Sequence, residues 1–144
     1  TAKRSDDIAT MFGAQEGVKL EDNRRFILLV NSVEAFFHRI IVTLALDDGA
    51  YTRACYELGQ RHMDYWKRGF QPLYWDIFKV CLVDTIHQCL NTSHTLTNSQ
   101  DQLLRLLCAW QKLIHRIVEK MRRGYDKSQN KLLGLIWLEN PTTD

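Results

Sequence analysis

The sequence predicts an all-α domain, and three observations carry that prediction. Apolar residues recur at steps of three and four along four long stretches. Short runs of alternating apolar and polar residues, the mark of a half-buried strand, are almost absent. The punctuation between the stretches is made of helix caps, glycine and proline.

The first helix is announced by Glu21, Asp22 and Asn23, acidic and capping residues ahead of an apolar run, and is expected to continue to Asp47, Asp48 and Gly49. Phe26, Leu29, Val30, Val33, Phe37, Ile40, Ile41 and Leu44 give it a broad apolar face. A second helix is expected over about residues 50–65, where Ala54, Leu58 and His62 follow one another at four-residue steps and share one stripe. Gly69 ends that run. Pro72 suits the first turn of a third helix, where its missing N–H is not needed, and Trp75, Phe78, Leu82 and Ile86 carry it to about Leu90. After a polar loop over residues 91–98, Ser99 and Gln102 have capping-box spacing. A fourth helix follows through Leu103, Leu107, Trp110, Ile114, Ile117 and Met121 to about Gly124. Residues 126–144 read as a C-terminal extension whose KLLGLIWL, Lys131 to Leu138, is apolar enough to mark burial or an interface.

Composition narrows the class. A chain of 144 residues suits one domain and buries roughly two thirds of its unfolded surface. With 45% apolar and 25% charged residues it reads as an ordinary soluble globular protein. A net charge of +2 does not argue for nucleic acid, and Lys120, Arg122 and Arg123 read as a solvated helix end that complements the helix dipole. No stretch approaches the roughly 20 uncharged apolar residues of a membrane span. The start, with Lys3, Arg4, Asp6 and Asp7, has no apolar signal core, so a cytoplasmic location is expected. Cys55, Cys81, Cys89 and Cys108 form no C-x-x-C pair and are expected to be buried thiols. Cys81 and Cys89 cannot bridge each other within one helix, whereas Cys108 on the next helix could meet one of them.

His62 raises the question of chemistry. No second His, Cys or carboxylate lies on its face at a zinc-like spacing, and no strained nucleophile turn is present. A lone imidazole can still hold a metal that arrives inside a cofactor, and haem iron needs one such ligand in an apolar cleft.

Several segments together then resemble one family. Met11-Phe12-Gly13, Glu57-Leu58-Gly59-Gln60-Arg61-His62, Gly69-Phe70-Gln71-Pro72 through Phe78, Ala109-Trp110-Gln111-Lys112-Leu113, and Arg123-Gly124-Tyr125 stand in the order and spacing of the globins. Among globins the chain is most similar to nematode-type and neuroglobin-like members, over about residues 9–125. The resemblance implies a globin-like helical fold that lacks the first two helices. It implies haem b as cofactor, with His62 the proximal iron ligand, Phe12 packed on the haem, and Leu58 beneath the porphyrin. Phe70, Trp75 and Phe78 would close the inner edge, Ile117 would line the cofactor, and Lys67 and Arg68 are candidate partners of its propionates.

Leu29 aligns with the ligand-side position, where the family commonly has histidine or glutamine, and Val33 and Phe37 accompany it. His38, nine residues after Leu29, lies about two and a half turns away and should face elsewhere. His87, His94 and His115 read as surface or core-edge residues. An apolar ligand side offers no hydrogen-bond donor, a contact worth on the order of 1–3 kcal/mol. The resemblance therefore implies a protein that binds O2, CO or NO for sensing or redox cycling rather than oxygen storage. Any nitrite or NO turnover would be the cofactor's own chemistry, since no general acid or base is visible in the implied cleft. The expected partners are haem, diatomic gases and, through the C-terminal extension, a second copy or another protein, with neither nucleic acid nor membrane. A haem-free globin-like sensor or interaction module is the alternative these residues leave open.

Overall fold

The structure is a computed structural model that describes Lys19 and residues 22–92 and 99–139, with side chains as far as Leu135. Every regular element among the described residues is helical: α1 (Arg24–His38) running into a π-helical turn (Arg39–Thr43), α2 (Asp48–His62) running into a 3₁₀ segment (Met63–Arg68), α3 (Tyr74–Thr92) and α4 (Gln100–Glu139). The all-α expectation holds. The chain divides into two compact units, Thr1–Ala54 with Tyr65–Phe70, and Cys55–Asp64 with Gln71–Asp144. The expected absence of two N-terminal helices, and the position of Phe12, lie outside the described residues.

In the first unit α1 starts where the sequence announces it. The Asn23 side chain accepts from the backbone N–H groups of Arg25 at 2.9 Å and Phe26 at 3.2 Å, which satisfies two donors that a helix start leaves over. Phe26, Leu29, Val33 and Phe37 are half-buried and Ile40 is fully buried, while Ile27, Leu28 and Val30 stand exposed. The helix does not reach Asp47. It widens into the π turn and closes with the Leu46 N–H on the Ile40 carbonyl at 3.1 Å, after which Ala45 and Leu46 hold left-handed backbone with φ of 47° and 58°. Asp47 then belongs to the next element, because its carboxylate accepts the Ala50 N–H at 2.8 Å and so starts α2. A short acidic side chain reads equally as a stop or a start until the backbone beside it is known. The segment Arg24–Thr43 is long and apolar enough to cross a membrane by length and composition, which corrects the expectation that no stretch approaches this.

In the second unit, the C-terminal part of α2, α3 and α4 supply a core of Cys55, Trp75, Ile114, Ile117, Val118, Met121 and Tyr125. Gly59 and Gly124 sit where α2 and α4 touch backbone to backbone. A Cβ on Gly59 would stand 1.9 Å from the Met121 carbonyl oxygen, and one on Gly124 would stand 2.1 Å from that of Tyr56. Only glycine permits that approach. This explains why α4 does not end at Gly124: the glycine is buried inside the helix, and α4 continues through the described part of the extension to Glu139. Leu133 and Leu135 on that continuation are exposed. The start of α4 follows the capping-box reading, with the Gln102 N–H on the Ser99 hydroxyl at 3.3 Å. Pro72 precedes α3 by a short turn, its carbonyl accepting the Trp75 N–H at 3.2 Å. All four cysteines are free thiols. Cys55 alone is buried, and Cys81, Cys89 and Cys108 are exposed, because α3 and the first half of α4 bury only one side.

Candidate functional site

His62 is the last residue of α2, at the end of the stripe that begins with Ala54 and Leu58. Its Nδ1 lies 2.8 Å from the Leu58 carbonyl oxygen one turn back. A carbonyl only accepts, so Nδ1 carries the proton and Nε2 keeps its lone pair. Burial lowers the His62 pKa from 6.5; the Leu58 hydrogen bond opposes this and the Arg61 charge adds to it. Burial thus favours the neutral form of the imidazole.

The ring is seated against Trp75, with centroids 5.3 Å apart and planes at 60°. Trp75 is buried in turn and meets the Tyr125 ring edge-on at 5.7 Å and 86°. The Arg122 guanidinium lies 5.8 Å from the Trp75 ring centroid and donates to the Asp76 carboxylate at 2.6 Å and to the Pro72 carbonyl at 3.1 Å. Lys79 reaches the other Asp76 oxygen at 2.8 Å. The Lys79 hydrogen bond, and then that of Arg122, hold the Asp76 carboxyl below its ordinary range against the opposing effect of burial. Arg122 is therefore half-buried and engaged, which corrects its reading as part of a solvated helix end. Arg123 fits that reading, exposed and paired at 3.1 Å with Glu119 one turn away.

Of the residues expected at the site, Leu58, His62 and Trp75 are brought together. Half-buried Phe78 and buried Ile117 belong to the same unit, while half-buried Leu29, Val33 and Phe37 and buried Phe70 belong to the other. Lys67 and Arg68 are exposed, the Arg68 guanidinium lying 5.6 Å from the centre of the Tyr65 ring. His38, His87 and His115 are exposed, and His94 lies outside the described residues. Sequence reasoning missed Gly59, Asp76, Arg122, Gly124 and Tyr125 as parts of the His62 support. The two glycines carried a usable signal, standing in the two segments that also bear His62 and Tyr125; Arg122 and Asp76 carried none.

Chemically, the site offers one neutral nitrogen donor in an apolar, aromatic setting. Among the described residues no group of three or more His, Cys, Asp or Glu side chains is placed to hold a metal ion by itself. Comparison with known proteins agrees with the all-helical pattern. The chain is similar to globin-related protein glb-13 of Caenorhabditis elegans, 34% identical over 74 residues that make up 51% of this chain and 23% of the relative. The chain thus spans about a quarter of the length of that relative. No solved structure matches. The globin family model matches residues 2–121, most of the chain and all of α1, α2 and α3, and on that match the chain belongs to the globin family.

Proposed function

We propose that this globin binds haem through His62 and takes up small diatomic gases or cycles redox state there. The observation that carries the reading is the His62–Leu58 hydrogen bond, which commits Nδ1 as donor and leaves Nε2 as the ligating nitrogen. The residues fit the group. Haem iron needs one imidazole in its neutral form, and burial favours that form here. When bound, haem supplies reversible gas coordination and one-electron chemistry; the protein supplies the ligand, its orientation and a dry surrounding. Leu58 and Trp75 bring apolar surface to the His62 side. The ligand side that the family resemblance assigns to Leu29, Val33 and Phe37 carries no donor, which favours sensing or redox cycling over oxygen storage.

The test is a haemin titration followed by absorbance. Wild type should develop a Soret band at one haem per chain, and His62→Ala should lose it or bind far more weakly. A protein that takes up no haemin, or one whose His62→Ala variant gives the wild-type spectrum, would overturn the assignment. The first of these outcomes would favour a haem-free interaction module, for which the exposed Ile27, Leu28 and Val30 of α1 and Leu133 and Leu135 of α4 offer apolar surface.

A further inference from the structure

The Leu58 hydrogen bond fixes which His62 nitrogen carries the proton and restrains the ring, but it leaves some latitude in the plane of the ring. Rotation about the Cβ–Cγ bond swings Nδ1 off the carbonyl, so large turns are closed, but within the angular tolerance of a hydrogen bond a smaller swing remains for packing to choose. The body against the ring is Trp75, at 5.3 Å between centroids. Trp75 sits in the first turn of α3, and that turn is tied to α4 by one side chain. Arg122 bonds the Pro72 carbonyl just before α3 and the Asp76 carboxylate just after Trp75, and its guanidinium lies 5.8 Å from the indole centre. Tyr125, three residues further along α4, closes the edge of the same indole. On the same stretch of α4, Met121 and Gly124 touch the backbone of α2 at Gly59 and Tyr56. One turn of α4 thus holds the helix that carries His62 and the ring that backs it.

We propose that Arg122 is a positioning residue for His62: by clamping the start of α3 and the face of Trp75, it sets the orientation in which the imidazole meets the iron. This rests on the reading of His62 as the haem ligand. Both bonds leave one guanidinium nitrogen, Nη2, while the rest of the planar group lies beside the indole; a lysine ammonium could make the two bonds but has no plane to lay against the ring. Lysine should therefore substitute only in part. A role confined to general stability would lower the melting temperature without turning the ring.

The variants are Arg122→Met, Arg122→Lys, Asp76→Asn and, as control, Arg123→Met, whose target is exposed and bonds only Glu119 among the contacts described. Two readouts report the ring directly. In the haem-free protein, nuclear Overhauser cross-peaks between His62 and Trp75 ring protons are measured; in the ferrous haem protein, the iron–imidazole stretching band is recorded by resonance Raman. Arg122→Met should lose or average the cross-peaks and should broaden and shift the band. Arg122→Lys and Asp76→Asn should fall between it and wild type, and Arg123→Met should match wild type. Wild-type cross-peaks and band in folded Arg122→Met would overturn the proposal. Should that variant not fold, the same result in both Arg122→Lys and Asp76→Asn would overturn it equally. Failure of the haem reading is distinguishable, because His62→Ala would then keep the wild-type Soret band while the haem-free cross-peaks still decide what Arg122 does.

Discussion

At His62 the Nδ1 proton is held by the Leu58 carbonyl, and the direction in which burial moves the second protonation has a consequence for stability. Burial lowers the folded-state pKa from the ordinary 6.5. As pH falls through 6.5, the unfolded chain gains a proton that the folded imidazole resists, so stability from this group is complete above that value and falls below it. The urea midpoint of the haem-free protein should therefore drop between pH 7.5 and pH 5.5 by more in wild type than in His62→Gln. Equal drops in the two proteins would remove His62 from the acid response. Cysteines divide by the same logic of burial. The Cys55 thiol is pushed up to about 11 by burial, with Lys120 opposing, while Cys81, Cys89 and Cys108 are exposed. Iodoacetamide at pH 8 should label three thiols of the native protein and reach the fourth, identified by peptide mass as Cys55, only after denaturation.

Between α2 and α4, close backbone contact is made at residues with no side chain, Gly59 and Gly124. At Gly124 an added methyl would collide with the Tyr56 carbonyl, which is backbone and cannot rotate away, so α2 and α4 would have to part. Gly124→Ala should cost roughly 1–3 kcal/mol through overpacking, more than the up to about 1 kcal/mol that alanine gains in helix propensity. Gly134 lies on the same helix with nothing within 4 Å of its would-be Cβ. Gly134→Ala should therefore raise stability, by up to about 1 kcal/mol. Paired denaturation curves check the contrast; a stabilising Gly124→Ala would mean that the helices do not touch there.

For the molecule as a whole, the proposed haem ligation by His62 would link cofactor binding to folding. A ligand that binds only the folded state at a hundred times its Kd contributes about 2.7 kcal/mol. For a chain of this size that is a rise in Tm on the order of 10 °C. Calorimetry with added haemin should show such a rise in wild type and little of it in His62→Ala. An equal rise in both would mean that haem is held by surface other than the His62 site.

The sequence alone determined the local elements and the residues that share a stripe. Helical periodicity and caps are written within a few residues, and so Asn23, Ser99 and the Ala54–Leu58–His62 row were legible, as was the fold class. The candidate ligand was named through the family resemblance rather than through spacing, and the Leu58 carbonyl that its Nδ1 meets lies only four residues away. What supports it was not legible. Arg122 meets Asp76 across 46 residues and Pro72 across 50, and nothing local distinguishes it from its exposed neighbour Arg123. Gly124 looked like a helix stop because glycine weakens a helix, yet it is retained inside α4 by the backbone it lets approach. Asp47 and the cysteines follow the same rule: a carboxylate becomes a cap, and a thiol becomes buried, only when the tertiary structure decides what stands beside it.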